Sequence, residues 1–239
     1  KALLAFQSDE KSVLQKVLDG LDNPIAPTMT KGPAPCQDVV ITGDDIDINK
    51  FPIPTYSPKD GGPYITPGIV VSKDPETGVP DIGHYRFLIL SKNTFSFSAQ
   101  PFHRFGKNLT KCQKMGVKPK AALIIGVDPV LAYTCQVQVH DQTNDWEVAG
   151  GLRGEPVELV RCVTSDIEVP STSEVVIEFE VDMNNTVMEG PLGEYTGYYA
   201  GDQGPKHSIR VTAITHRNNP ILQGTIEGTL PAMMTENSI

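Results

Sequence analysis

Residues 175–181 read Val-Val-Ile-Glu-Phe-Glu-Val, and this stretch decides the fold class. From Ile177 onward, apolar and acidic side chains alternate, as they do in an antiparallel strand with one face in water. Further short apolar or alternating runs recur at residues 68–71, 84–90, 121–126, 157–163, 208–214 and 221–226. Six or seven strands of this kind predict a β-rich domain.

Short helices are predicted at the connections between these strands. They show apolar side chains every three or four residues, or an N-cap residue followed by Pro, over residues 10–19, 102–115, 128–132 and 145–152. Residues 23–63 are rich in Pro and Asp and predict a connecting arm without long regular elements. We therefore expect an α+β fold, a mainly antiparallel closed or split β-barrel with short peripheral helices.

The composition of the chain excludes several classes of protein. Its 239 residues include 29 acidic and 20 basic side chains, a net charge of −9, which argues against a binder of nucleic-acid phosphates. No apolar stretch approaches the ~20 residues that span a bilayer. The four cysteines, Cys36, Cys112, Cys135 and Cys162, form no CxxC pair, which disfavours structural zinc and a disulfide framework. The expectation is a soluble, cytoplasmic protein with no nucleic-acid or membrane partner.

Two glutamates flank a tight turn in the segment Glu189-Gly190-Pro191-Leu192-Gly193-Glu194. Glycine permits close backbone approach and proline fixes one dihedral angle, so both carboxylates can be held near a common point. Paired carboxylates in a cleft tend to separate in pKa, which suits general acid–base chemistry. The alternative interpretation is a surface turn with two solvated glutamates.

Other polar side chains are candidate partners of this turn. Arg86 lies in an otherwise apolar run, so it either faces water or meets an acid, because an unpaired buried guanidinium is very costly. Asp81, His103 and Asp145 are side chains of the kind that bind Mn²⁺ or Mg²⁺, although their spacing matches no local metal motif. A lone histidine is also commonly a hydrogen-bonded structural residue.

Several segments, in order and spacing, resemble the UbiD family of decarboxylases that use prenylated FMN. They are Phe51-Pro52-Ile53-Pro54, residues 60–66, 74–78, 81–86 and 150–160, and above all Glu189-Gly190-Pro191-Leu192-Gly193-Glu194. The resemblance implies a flavin-binding split barrel. It covers residues 23–239 and only the central part of family members, so the chain looks like a fragment of a longer protein. We expect residues 1–45 to be the end of a preceding α/β domain with its connecting arm, and residues 46–239 to be the prenylated-FMN-binding domain.

The resemblance also implies roles for individual residues. Arg86, Glu189 and Glu194 correspond to the family's catalytic network. The family's metal ligands are Asn, His and Glu, and the corresponding positions here hold Asp81, His103 and Asp145. Two of the three therefore depart from the family pattern, Asp81 in place of Asn and Asp145 in place of Glu. Glu147 is an alternative to Asp145 as the third ligand. The implied cofactor-binding residues are Asp81, Ile82, Gly83, His84, Tyr85, Arg86, Phe102, His103 and Asp145.

The activity that the resemblance implies is reversible, non-oxidative decarboxylation of an aromatic or α,β-unsaturated carboxylic acid. The implied cofactors are prenylated FMN, a divalent metal (Mn²⁺ or Mg²⁺) and K⁺. The implied partners are the small carboxylic acid substrate, the remaining domains of the same polypeptide, further copies in a homo-oligomer, and a flavin prenyltransferase that supplies the cofactor. Two alternatives are a non-catalytic binding fragment and a split-barrel reductase that uses unmodified FMN.

Overall fold

The computed structural model describes residues 2–194, 197–199 and 201–225. Most of the chain's strands form one sheet that closes on itself. The strands of this sheet are β2 (Val39–Thr42), β3 (Tyr64–Lys73), β4 (Pro80–Ile89), β5 (Thr94–Phe97), β6 (Lys120–Ile125), β9 (Val175–Glu189) and β10 (Gly204–His216).

The strand order β10-β5-β4-β3-β6-β9 closes through a pairing of β10 with β9, while β2 extends β10 outside the ring. All pairings in this sheet are antiparallel. The predicted α+β fold with an antiparallel split barrel is therefore confirmed.

Aromatic side chains fill the barrel because alternate residues of each strand point inward. Phe87 and Phe97, directly paired on β4 and β5, stack with ring centroids 5.5 Å apart, and Phe179 meets Phe87 from the far wall at 5.8 Å. All three are essentially fully buried. Burying each ring contributes about 2–3 kcal/mol, so this cluster stabilises the wall that carries Arg86 on its opposite face.

The helices lie at the periphery, near the predicted positions. Their bounds are α1 Ala2–Ala5, α2 Val13–Asp22, α3 Arg104–Met115, α4 Pro129–Thr134 and α5 Asp145–Arg153. Asp128 caps α4 by accepting from the Val130 amide at 2.7 Å, as the Asp-Pro pair predicts. Gly20 lies inside α2 rather than beyond its end. A residue without a side chain is needed there, because a Cβ at this position would lie 2.7 Å from the Gly151 carbonyl oxygen of α5.

A second, smaller sheet consists of β1 (Thr28–Met29), β7 (Glu158–Arg161) and β8 (Glu168–Pro170). Together with α5 it covers an outer face of the barrel, where Trp146 packs among apolar side chains of β3, β4 and β6. The arm over residues 23–63 contains only β1, β2 and three single-turn 3₁₀ helices. Because β2 pairs with β10, part of this arm belongs to the barrel sheet.

The predicted strand over residues 221–226 is wrong for residues 221–225, and residue 226 lies outside the described residues. The preceding strand, β10, ends at His216, and the Ile221 amide donates to the Glu174 carboxylate at 3.0 Å instead of entering a ladder. The four cysteines are free thiols, three of them buried. Within the described part of the chain, every helix is too short or too polar to cross a lipid bilayer.

Candidate active site

Three strands and the loop after β9 converge on the candidate site. Arg86 lies on β4, Ser96 on β5, Glu189 ends β9, and Glu194 follows in the loop. β10 pairs with both β5 and β9, so it lies between the strands that carry Ser96 and Glu189. Side chains alternate along a strand, so Arg86 points away from the interior that Phe87 faces, and the site lies on the outer face of the barrel.

The Arg86 guanidinium lies between the two predicted glutamates. Its Nη1 donates to Glu194 Oε1 at 2.7 Å, and its Nε lies 3.8 Å from Glu189 Oε1. The Glu189 side chain is 2% exposed, whereas those of Arg86 and Glu194 are 36% and 25% exposed. The structure thus brings together one buried and one accessible carboxylate around one accessible cation.

Burial and charge set the protonation of this group. Burial raises the pKa of Glu189, and the Ser96 hydroxyl, which donates to Oε2 at 3.0 Å, together with Arg86 opposes part of that rise. Burial lowers the pKa of Arg86, but the hydrogen bond to Glu194 and both carboxylates outweigh it and leave that pKa above its ordinary value. Arg86 therefore remains a cation. The pKa of Tyr64 is raised by burial first and then by the neighbouring Glu189 charge.

The turn that separates the two glutamates is held by the segment that begins at Ser57. Asp60 accepts from the Gly193 amide at 2.9 Å through Oδ1 and from the Ser57 amide at 2.7 Å through Oδ2. The Gly61 amide donates to the Pro191 carbonyl at 2.8 Å.

A Cβ on Gly61 would overlap the Gly190 carbonyl oxygen, so only glycine permits this approach. Gly190 itself has a φ of 98°, a backbone conformation that favours glycine. These contacts fix the position of Glu194 relative to Glu189.

The structure does not gather the three predicted metal ligands. Asp81 and Asp145 are both buried, but the Arg104 guanidinium lies between them, 3.4 Å and 2.7 Å away. The His103 side chain is exposed and contacts Phe102 instead. Across the described ranges, no group of three or more His, Cys, Asp or Glu side chains could hold a metal ion. Glu147, the alternative ligand, accepts from Asn144 Nδ2 at 3.2 Å.

Burial raises the pKa of both aspartates in this second cluster. For Asp81 the pKa rises to about 6, with Arg104 opposing the rise and Asp145 adding to it. For Asp145 the pKa is raised by burial, against the attraction of Arg104 and the hydrogen bond from the Ile82 amide.

The other predicted cofactor-binding residues are spread over both faces of β4. Ile82 is buried in the outer core with Trp146, and His84 Nε2 lies 3.2 Å from the Ala132 carbonyl oxygen. The Tyr85 ring contacts Phe105 inside the barrel at a centroid distance of 5.4 Å, and the adjacent Gly83 is half-buried. Phe102 is 68% exposed. As cofactor contacts, all of them remain predictions.

A cavity of about 210 Å³ lies beside the site rather than in it. Its lining includes Tyr56, Tyr64, Ile65 and Leu222, but not Arg86 or the two glutamates. Tyr64 is the link between them, because its buried side chain lines the cavity and the Glu189 charge helps to raise the pKa of its hydroxyl.

Sequence reasoning missed Ser96, Asp60 and Arg104 as residues that shape these clusters. Ser96 lies in a strand of four residues, and the alternation Thr-Phe-Ser-Phe indicates the strand but not the acid that Ser96 meets. Asp60 stood within a quoted motif without an assigned role. Arg104 carried a usable signal, since a basic residue in the first turn of a helix opposes the helix dipole and indicates acidic partners nearby.

Comparisons with known proteins agree with the fold. The family model of the UbiD 3-octaprenyl-4-hydroxybenzoate carboxy-lyase Rift-related domain matches residues 28–230. An uncharacterised protein of Synechocystis is 36% identical over 197 residues, which are 82% of this chain and 39% of that protein. An uncharacterised protein of Aquifex aeolicus is 36% identical over 229 residues, which are 92% of this chain and 46% of that protein. The chain therefore spans less than half the length of these relatives.

Two similar solved structures are a UbiD-class enzyme and a vanillic acid decarboxylase. HmfF from Pelotomaculum thermopropionicum in complex with FMN superposes with a TM-score of 0.89 at 32% identity, over 95% of this chain and 51% of that one. Vanillic acid decarboxylase from Sedimentibacter hydroxybenzoicus gives a TM-score of 0.90 at 28% identity, over 98% of this chain and 51% of that one. With the barrel and the Glu-Gly-Pro-Leu-Gly-Glu turn in place, these matches show that the chain belongs to the UbiD family.

Proposed function

We propose that this chain is the central, flavin-binding part of a decarboxylase that acts on an aromatic or α,β-unsaturated carboxylic acid. The observation that carries the proposal is the Arg86 guanidinium held between Glu194 at 2.7 Å and Glu189 at 3.8 Å. Family membership supports the reaction class. The FMN complex of HmfF supports a flavin, and an evolved dimeric form of HmfF has been solved in complex with prFMN, the prenylated form.

The donor set fits such a cofactor and substrate. Prenylated FMN, when bound, supplies the electron sink for the bond that breaks on loss of CO₂. This chain supplies an accessible cation that can attract and orient a carboxylate. It also supplies an accessible carboxyl group, Glu194, that can hold a proton near the reacting carbon.

The three side chains take different roles in this proposal. Glu194 delivers the proton that replaces CO₂, because it is the more exposed of the two acids. Glu189 is buried and fixed by Ser96, so it positions Arg86 and does not itself exchange protons with the substrate. Arg86 holds Glu194 by a charge-assisted hydrogen bond, which keeps the acid in one place.

The remaining domains of the polypeptide complete the pocket in this proposal, because the chain spans about half of the solved UbiD-class chains. Assembly into a homo-oligomer and supply of the cofactor by a flavin prenyltransferase belong to the same proposal.

The test uses the full-length polypeptide reconstituted with prenylated FMN in deuterated buffer and screened for deuterium incorporation into candidate decarboxylation products, arenes and alkenes. We expect Glu194→Gln to retain the flavin absorbance and to lose roughly 100- to 10,000-fold in exchange rate. Glu180→Gln is the matched control, since Glu180 lies on β9, the strand that precedes the loop of Glu194, and pairs with Lys118 at the surface.

Equal exchange rates for Glu194→Gln and the wild-type protein would contradict the role of Glu194. A wild-type protein that binds no flavin and catalyses no exchange would favour the non-catalytic alternative. Nicotinamide oxidation in place of exchange would favour the reductase.

A further inference from the structure

The first residue of α3 makes a contact that the predicted metal site did not anticipate. Arg104 Nη1 donates to Asp145 Oδ1 at 2.7 Å, and Arg104 Nε lies 3.4 Å from Asp81 Oδ1. The Arg104 side chain is 16% exposed, and both aspartates are buried. A positive charge of this chain's own therefore lies between the two carboxylates that the resemblance assigns to a divalent metal.

Backbone carbonyls fix the same guanidinium from its other side. Arg104 Nη2 donates to the Pro80 carbonyl at 3.1 Å and to the Thr143 carbonyl at 2.9 Å. Pro80 directly precedes Asp81, and Thr143 lies just before the helix that begins at Asp145. The guanidinium thus joins the start of β4 to the start of α5 by hydrogen bonds that a rotation of the side chain would break.

The carboxylate oxygens are engaged as well. Asp81 Oδ2 accepts from Ser72 Oγ at 3.3 Å, and Asp145 Oδ2 accepts from the Ile82 amide at 2.8 Å. The remaining oxygen of each aspartate faces Arg104. All four oxygens therefore have a partner, whereas a divalent cation needs several of them as direct ligands.

Electrostatics also disfavours a metal between these side chains. The two ionised aspartates together with Arg104 carry a net charge of −1, whereas the two aspartates alone would carry a net charge of −2. A divalent ion would have to displace a cation that carries its charge at every physiological pH, or bind next to it against repulsion. The exposed His103 side chain makes no contact with either aspartate that could compensate.

From this geometry we infer that Arg104 takes the place of the divalent metal in this chain and that the site formed by Asp81, Asp145 and Arg104 binds no Mn²⁺. The inference rests on the proposed function in one respect only, the assignment of Asp81 and Asp145 as the positions at which a metal would bind. Its test reads metal binding and thermal stability, so it can fail or succeed independently of decarboxylation.

The experiment titrates the purified full-length polypeptide with MnCl₂ and follows free Mn²⁺ by electron paramagnetic resonance, with thermal unfolding in EDTA and in Mn²⁺ as the second measurement. For the wild-type chain we expect less than about 0.1 bound Mn²⁺ per chain and the same Tm in both solutions. Binding of about one Mn²⁺ per chain that Asp145→Asn abolishes would overturn the inference.

Variants of the cation separate its role from general stability. Arg104→Ala leaves two buried carboxylates without their cation, so we expect its Tm in EDTA to fall by roughly 10 °C and to recover in part on addition of Mn²⁺. Arg104→Lys keeps a positive charge and is expected to fold and to bind no Mn²⁺. Lys107→Ala is the matched control, because Lys107 lies on the same helix and pairs with Asp141 at the surface.

A Tm for Arg104→Ala equal to that of the wild-type chain would overturn the inference, since the aspartates would then not depend on the guanidinium. If Arg104→Ala does not fold, the wild-type and Arg104→Lys titrations decide: stoichiometric Mn²⁺ binding by either of them contradicts the inference, and its absence in both supports it.

Discussion

Removing the Ser96 hydroxyl is expected to destabilise the protein in a pH-dependent way. Ser96 Oγ donates to Glu189 Oε2 at 3.0 Å, and both side chains are buried. In Ser96→Ala that oxygen loses its donor, while Oε1 keeps the Arg86 guanidinium at 3.8 Å. A buried acceptor without a donor is costly, and most costly when it carries a charge.

The magnitude follows from the kind of hydrogen bond that is lost. A hydrogen bond to a charged group contributes about 1.5–3 kcal/mol, and one between neutral groups about 0.5–1.5 kcal/mol. We therefore expect Ser96→Ala to cost about 2 kcal/mol of unfolding free energy when Glu189 is ionised, and about 1 kcal/mol when it is protonated.

The sign of the pH dependence follows from the raised pKa of Glu189. Between its unfolded and its folded pKa, the native state binds more protons than the unfolded state, so stability falls as pH rises through that window. The Ser96 hydrogen bond lowers the folded pKa and limits this loss. Ser96→Ala is expected to raise the folded-state pKa of Glu189 further. The loss of unfolding free energy that the substitution causes must therefore grow toward alkaline pH.

The assay is equilibrium unfolding in urea at about pH 5 and about pH 9, with the wild-type protein measured in parallel. Ser173→Ala is the matched control: Ser173 is equally buried, but its hydroxyl donates to the Pro170 carbonyl at 2.8 Å, so its cost should not change with pH. In a Glu189→Gln background the pH-dependent part of the Ser96→Ala cost should vanish. A Ser96→Ala cost that is the same at both pH values would refute the reasoning.

Two further substitutions test the supports of the site and of the barrel. Gly61→Ala places a Cβ against the Gly190 carbonyl oxygen and should lower the free energy of unfolding in urea by about 2 kcal/mol or more. Gly32→Ala, whose Cβ meets open space, should lower it little. Equal losses would show that the close approach is unimportant. The Glu178 carboxylate accepts three hydrogen bonds, two of them from Thr164. Glu178→Gln weakens this acceptor and should lower the free energy of unfolding by about 2–4 kcal/mol. A loss below about 0.5 kcal/mol would contradict these contacts.

The sequence predicted the long strands well because their inward faces are strongly apolar. It predicted the end of β9 poorly: alternation stops after Val181, but the strand continues to Glu189. Residues 182–188 are largely exposed, so they carry no hydrophobic pattern. Asp182 and residues 186–189 pair with β10, and residues 183–185 form an irregularity between these pairings. This unpatterned extension carries Glu189 to Ser96 and could be seen only in the structure.

In the candidate site, the main side chains were predicted from the sequence, but their contacts with distant residues were not. Arg86, Glu189 and Glu194 were found through a motif and a resemblance, and the structure brings them within hydrogen-bonding or ion-pairing distance of one another. The position of Arg104 in the first turn of a helix indicates acidic partners, but their identity, Asp81 and Asp145, depends on how that helix packs against the barrel. The predicted metal ligands were assigned by resemblance alone, and the structure places the Arg104 guanidinium between two of them, Asp81 and Asp145.

The most direct test of the central claim is a crystal structure of the full-length protein reconstituted with prenylated FMN. Our account predicts that the flavin ring lies on the outer face of β4, within contact distance, about 4 Å, of the Arg86 guanidinium and beside Glu194. A ring bound elsewhere, with Arg86 and the two glutamates distant from it, would contradict the account.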